Sequence, residues 1–235
     1  MVVGAAWCGR CAPEAQPASR RARPRSPFPI RRAPSQKPLS DILIADDHAL
    51  FRDALQRAVL TALPQARVHG ADSVHTLLGL IEQFPDAELL LLDLHMPGAR
   101  GYSALAHIRG QYPGLPTIVV SGHEEAQVAR RALGHGASAY IPKSSSGESI
   151  VAAIRAVLDG DVWLPPALLG APGELRPDEA AAAAQIAALT PQQFRVMTMI
   201  AEGLLNKQIA YELGVSEATV KAHMTAIMRK LGVNN

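Results

Sequence analysis

The sequence predicts an α/β domain with a doubly wound parallel sheet of (βα)5 order, followed by a small all-α unit. Three observations carry this. Short apolar runs alternate with helix-period segments over roughly 120 residues. The runs are continuously apolar, which suits strands buried on both faces under helices. Past residue 188 the short runs cease and only helical patterning remains.

The elements follow in order. Ile42-Leu43-Ile44-Ala45 is the first strand and ends at Asp46-Asp47. The next helix carries Leu50, Ala54, Leu55, Ala58 and Val59 on one side. Arg67-Val68-His69-Gly70 is a weak second strand, and Ser73 starts a helix bearing Leu77, Leu78 and Ile81. Glu88 to Leu92 is the third strand, and a short helix with Leu105 and Ile108 follows Gly101. Thr117-Ile118-Val119-Val120 is the fourth strand. Glu124 to Leu133 is helical, with Gly134 as its C-cap residue. Ser138 to Ile141 is the fifth strand, and Ser149 to Leu158 closes the domain at residues 41–160. Residues 161–188 read as a linker: Pro165, Pro166, Pro172, Gly173 and Pro177 break structure, while Ala180 to Ala184 can propagate a helix. Residues 189–235 form the second domain. It opens on Thr190-Pro191-Gln192-Gln193, a capping box with proline at the first helical position.

The chain's formal net charge is only +2, but the basic excess is concentrated in residues 1–40, with eight Arg/Lys against one Glu. The remainder is net acidic, which excludes a uniformly basic nucleic-acid binder. Residues 1–40, rich in Pro and Arg, read as a disordered tail or an over-long start. Both cysteines, Cys8 and Cys11, lie there without the strand and helix that a redox pair needs. The rest of the chain has no cysteine, which suits a reducing cytoplasm. No run approaches the ~18 apolar residues of a membrane span.

In the strand order 2-1-3-4-5, the flavodoxin-like winding, ligands sit at the carboxyl ends of the strands. Asp46 and Asp47 end strand one, Asp93 ends strand three, Ser121 ends strand four, and Lys143 follows strand five. Three carboxylates gathered on one rim need a cation to stay ionised together. Hard oxygen ligands with open positions suit Mg2+. A carboxylate can attack a phosphoryl group to give an acyl phosphate, while a metal and a fixed lysine neutralise the equatorial oxygens. Asp93, at the end of the central strand, is the candidate nucleophile. Asp47 is the candidate direct metal ligand, with Asp46 close by or acting through water.

These stretches, AlaAspAspHis (45–48), LeuAspLeuHisMetProGly (92–98), ValSerGly (120–122) and TyrIleProLysSer (140–144), resemble the receiver domain of two-component response regulators. The resemblance implies phosphorylation of Asp93 by a sensor histidine kinase. It implies Mg2+ held by Asp47, Asp93 and the backbone carbonyl of His95, with Asp46 nearby. Ser121 would bond the phosphoryl oxygen, Lys143 would pair with the acyl phosphate, and Tyr140 would be the aromatic switch. Two positions depart from the pattern. Ser144 stands where receivers often have proline, so the lysine loop must be held otherwise. Arg100 stands where an acidic residue is common.

The second domain predicts three helices: one from Thr190 with Phe194, Val196, Met197 and Ile200 buried, one from Asn206 to Leu213 stopped by Gly214, and one capped by Ser216 and running to Leu231. A short helix, a glycine turn and a longer helix is helix-turn-helix spacing. On the third helix Val220, Ile227 and Leu231 take the core side, flanked by Met224 and Met228. Thr219, Lys221, Ala222 and Thr225 are the candidate base readers. Lys207, Arg229 and Lys230 suit phosphates. Residues 202–210 and 216–233 closely resemble LuxR-type helix-turn-helix domains, and with the receiver in front the whole resembles the NarL/FixJ class of transcription regulators. His223 then packs against the second helix. Leu205 replaces the usual capping Ser or Thr, a loss of roughly 1 kcal/mol unless Asn206 substitutes. The family's fourth, dimerising helix is absent before Asn235.

The expected protein is therefore a cytoplasmic transcription regulator that binds double-stranded promoter DNA and forms a homodimer when phosphorylated. It makes no membrane contact and is not a turnover enzyme. Two rivals stay open: an aspartyl-nucleophile phosphohydrolase, with His95 where such enzymes carry a second acid, and a receiver that only docks a partner protein.

Overall fold

Each strand stops where its apolar run meets a polar residue, and all the stops fall on one edge. The computed structural model describes residues 40–168 and 175–233. The tail with Cys8 and Cys11, and the expectation about a fourth helix, lie outside those residues. Strands β1 (Asp41–Ala45), β2 (Arg67–Ala71), β3 (Leu89–Asp93), β4 (Thr117–Ser121) and β5 (Ala139–Pro142) form one parallel sheet in the order β2-β1-β3-β4-β5. Helices α1 (Ala49–Ala62) and α5 (Gly147–Leu158) cover one face, packing Leu55, Val59, Ile150 and Ile154 on Ile42, Ile44, Leu91 and Ile118. Helices α2 (Val74–Gln83), α3 (Ser103–Gln111) and α4 (Ala126–Gly134) cover the other, over Leu43, Leu90, Leu92 and Val119. Leu89 to Leu92 are fully buried. Leu89 and Leu91 pack on one face and Leu90 and Leu92 on the other, so burial at about 1.5–3 kcal/mol per leucine holds β3 between the two helix layers.

Helices α6 (Pro177–Ala187), α7 (Pro191–Ala201), α8 (Asn206–Glu212) and α9 (Glu217–Leu231) complete the described chain. Phe194, Ile209, Val220 and Ile227 form their core, and it is continuous with the receiver-side cluster that holds Met96, Leu105 and Ile108. Before α6, Trp163 adds a parallel bridge beside Ala139, with its carbonyl accepting from the Tyr140 N–H at 3.3 Å. The segment expected to be a linker is thus partly laid on the sheet.

Several expectations need correction. Leu50 does not join the core side of α1. It is 86% exposed, because the first turn of that helix overhangs the sheet edge instead of lying on the sheet. Gly134 is the last residue of α4. The left-handed residue that ends the helix is Gly136, at φ 93°. On α7, Met199 is buried while Ile200 is 36% exposed, since the receiver packs against that helix and rotates the buried stripe by one position. Asn206 does not cap α8. The Leu205 N–H is satisfied by the Gln208 side chain at 2.8 Å. The Thr190 capping box and the Ser216 cap form as expected, and Gly214 takes the left-handed turn at φ 63°.

Candidate functional site

The parallel register brings the strand ends together. Ala45 lies beside Leu92, Asp93 beside Val120, and Ser121 beside Pro142. Asp46, one residue past β1, is fully buried, Asp93 is 2% exposed and Ser121 is fully buried. Lys143, just past β5, reaches both acids. Its Nζ lies 2.7 Å from Asp46 Oδ2 and 2.8 Å from Asp93 Oδ2. Burial opposes the lysine charge, but its pairing with the Asp46 and Asp93 carboxylates outweighs it and holds the ammonium above its ordinary pKa. The Phe51 ring lies beneath, 4.9 Å from Nζ.

The loops are held without the proline at position 144. The Lys143 N–H donates to the Ser121 carbonyl at 2.7 Å, and the Ser145 N–H to the Pro142 carbonyl at 3.0 Å. Backbone donors fix the acids as well: the His48 N–H bonds Asp46 Oδ1 at 2.8 Å, and the His95 N–H bonds Asp93 Oδ1 at 3.1 Å. Arg52, which sequence reasoning passed over, donates to the Asp46 carbonyl at 2.7 Å. Gly70 leaves room for it, since a Cβ there would lie 3.2 Å from Arg52 Cδ. An arginine on the polar side of an amphipathic helix gives no signal in sequence that it turns back onto a strand end.

Donor atoms of Asp46, Asp47, His48 and Asp93 all lie within 4.8 Å of one another. Asp46 Oδ2 is buried and, despite its ion-pair contact with Lys143, receives no well-aligned hydrogen bond. A divalent cation would supply the missing partner, and the carboxylate oxygens suit a hard ion. The acidic cluster can therefore hold a metal. Around it opens a cavity of about 700 Å3, lined by Leu50, Phe51, His95, Gly122 and His123 as well as the acid–lysine centre. This explains the exposed Leu50: it stands at the cavity mouth.

Tyr140 is fully buried, and its hydroxyl donates to the His123 carbonyl at 2.7 Å. Burial pushes its pKa up to about 12. The tyrosine thus ties β5 to the loop after Ser121, whose hydroxyl accepts from the His123 N–H at 3.3 Å.

On α9, Lys221, Ala222, Thr225 and Arg229 are exposed, as is Lys207 on α8. Two candidates need correction. The Lys230 Nζ donates to the Ala188 carbonyl at 2.9 Å and to Gln193 Oε1 at 2.7 Å, so it staples α9 to the α6–α7 junction instead of standing free for phosphate. Thr219 is half-buried in the Ser216 cap, with its hydroxyl 2.9 Å from Ser216 Oγ. The Thr225 hydroxyl bonds back to the Lys221 carbonyl at 3.0 Å, which leaves its methyl as the group for a base edge. His223 is half-buried. Among the described residues, no helix is long and apolar enough to cross a membrane.

Comparison with known proteins agrees with this geometry. Residues 42–155 match the response regulator receiver domain, and residues 187–235 match the bacterial regulatory proteins of the luxR family. The chain is 40% identical over 199 residues to the glycerol metabolism activator of Pseudomonas putida, covering 83% of this chain and 90% of that one. It is 32% identical over 200 residues to the nitrate/nitrite response regulator NarL of Escherichia coli K12, covering 84% and 91%. A solved structure of RcsB from Salmonella enterica serovar Typhimurium, bound to promoter P1flhDC in the presence of phosphomimetic BeF3-, matches with 25% identity and a TM-score of 0.50, over 83% of this chain and 93% of that one. The chain belongs to the NarL/LuxR-type response regulators, DNA-binding transcriptional regulators that join a receiver domain to a LuxR-type helix-turn-helix domain.

Proposed function

We propose that Asp93 is the phosphoryl acceptor and that its phosphorylation by a sensor histidine kinase controls binding to promoter DNA. The observation that carries this is Lys143 Nζ lying between Asp46 and Asp93 at 2.7 and 2.8 Å on a buried sheet edge. One Asp93 oxygen attacks phosphorus of the donor phosphohistidine. The new O–P bond forms as the P–N bond breaks, and the imidazole leaves toward the open cavity. Lys143 keeps its charge and neutralises a phosphoryl oxygen, and the Ser121 hydroxyl turns to donate to another. Asp46, Asp47, Asp93 and the His95 carbonyl would hold Mg2+, which neutralises charge on the transferring group. The protein accepts the group stoichiometrically and is not a turnover enzyme.

Movement of Ser121 shifts the loop that Tyr140 holds through the His123 carbonyl, and α4 follows that loop directly. The output is a population shift between existing states, not a new fold. Lys221, Ala222 and Thr225 enter the major groove, with Lys207 and Arg229 on phosphates, in a homodimer on promoter DNA. The cytoplasm is the matching compartment. The test is labelling with acetyl phosphate and Mg2+, then selection of bound genomic fragments. Wild type is expected to take label and retain specific fragments, and Asp93→Asn to do neither. Equal label on both proteins would end the assignment.

A further inference from the structure

The turn between β1 and α1 carries Asp46 and Asp47, two of the acids proposed to hold Mg2+. A connecting segment is the least constrained part of a fold, so something must fix it if its carboxylates are to be ready for a metal. Every polar group of Asp46 has a neighbour. Its N–H donates to the Ala71 carbonyl of β2 at 3.0 Å, and its Oδ1 accepts from the His48 N–H at 2.8 Å. Its Oδ2 faces Lys143 Nζ at 2.7 Å. Its carbonyl accepts from Arg52 Nη1 at 2.7 Å. That carbonyl and the Asp47 N–H belong to one planar peptide unit. Fixing the carbonyl therefore fixes the plane from whose two ends both acids are hung.

Arg52 works from a firm base. It belongs to α1, its own N–H donates to the His48 carbonyl at 2.9 Å, and Leu55 and Val59 of the same helix are packed into the core. Its side chain crosses β2 through a gap. Gly70 stands beside Ile44 in the sheet, and a Cβ on it would lie 3.2 Å from Arg52 Cδ and 3.3 Å from Nε. The Gly70 backbone is ordinary strand without a positive φ, so the missing side chain serves the arginine and not a turn.

We propose that Arg52 is a positioning residue for the metal, holding the Asp46–Asp47 peptide in place through the gap at Gly70. This rests on the reading above that Asp46, Asp47 and Asp93 hold Mg2+. A cation at this place can act in two ways, with opposite signs. As a charge, a guanidinium near three carboxylates repels a metal ion, and its loss would tighten metal binding. As an anchor, it keeps the oxygens oriented before the metal arrives, and its loss weakens metal binding. The bond runs to the backbone carbonyl, so no carboxylate oxygen is occupied by it. That geometry favours the anchor.

The test is calorimetric titration of Mg2+ into the full chain without phosphodonor. Arg52→Met keeps the aliphatic stem, removes every donor, and is expected to weaken Mg2+ binding about tenfold. Arg52→Lys restores a donor and is expected to recover most of that loss. Gly70→Val fills the gap with a residue that strands favour, and is expected to match Arg52→Met. The double variant is expected to bind no worse than either single one, because both break the same contact. With acetyl phosphate, the initial labelling rate of Arg52→Met is expected to fall at limiting Mg2+ and to return to the wild-type rate at saturating Mg2+, which general damage to the fold would not allow. Mg2+ affinity that is unchanged or tighter in Arg52→Met overturns the proposal. So does a Gly70→Val protein that binds Mg2+ as wild type does. If wild type itself takes up no Mg2+, the metal reading is what fails, and the role of Arg52 falls with it.

Discussion

The sheet rim and the reading helix carry the two halves of the function on opposite designs. At the rim, Asp46, Asp93 and Ser121 are buried, and Lys143 is paired with both acids. On α9, Lys221, Ala222, Thr225 and Arg229 project from an exposed face. The proposed rim chemistry needs atoms fixed to within tenths of an ångström before a phosphodonor arrives, and a buried ladder supplies that. On the proposed mode of binding, the reading face takes its final geometry from the DNA. Rim substitutions should therefore destabilise the fold as well as abolish function, while reading-face substitutions should touch binding alone.

The sharpest break of that contrast is at the rim. Leu91→Ala, directly beneath the acids, is expected to lower unfolding free energy by about 2–5 kcal/mol in urea titrations. Lys143→Ala leaves two buried carboxylates facing each other and is expected to cost roughly 3 kcal/mol, a loss that added Mg2+ reduces. A Lys143→Ala protein as stable as wild type without metal would show that the buried carboxylates do not depend on the lysine charge.

The interface between the regions comes next. His107 of α3 is fully buried, stacks on Phe194 of α7 at 4.0 Å, and has both ring nitrogens without hydrogen-bond partners. Burial lowers its pKa from 6.5 to about 4. The docked arrangement thus favours the neutral ring. Its contribution is complete above the free value of 6.5 and is lost as pH falls toward 4. At one pH unit below the free value the penalty reaches about 1.4 kcal/mol. The protection of α7 amides, taken relative to their intrinsic exchange at each pH, should fall on acidification, and His107→Phe should remove that loss.

Smaller effects sharpen the other side. Thr190→Ala deletes the α7 cap and is expected to cost ~1 kcal/mol, read by thermal unfolding. Lys221→Ala should leave stability within about 0.5 kcal/mol of wild type while weakening DNA retention. A large stability loss there would contradict a free reading face.

The rim was legible because the contrast is local: four leucines followed by Asp93 show both burial and its end. The LuxR-type half was legible for the same reason, through Thr190, Gly214 and Ser216, whose capping and turn chemistry acts over a few residues. Leu50 was misplaced because helical periodicity finds an apolar stripe but not how far the sheet extends beneath it. Lys230 was assigned to phosphate because a lysine near a reading helix shows its charge, not the carbonyl 42 residues away that claims it. The contact of Glu179 with Arg131 and His135 and the His107 stack join residues far apart in the chain, each ordinary in its own neighbourhood.

The sequence by itself determined the winding of the sheet, the polar residues at its edge and the helix-turn-helix, since these follow from periodicity, turn chemistry and short spacings. Only the tertiary structure decided how α6 lies on the receiver and which lysine is spent inside the protein. Those depend on long-range packing of small residues and single hydrogen bonds, where a difference of one or two kcal/mol chooses the partner and no local pattern records the choice.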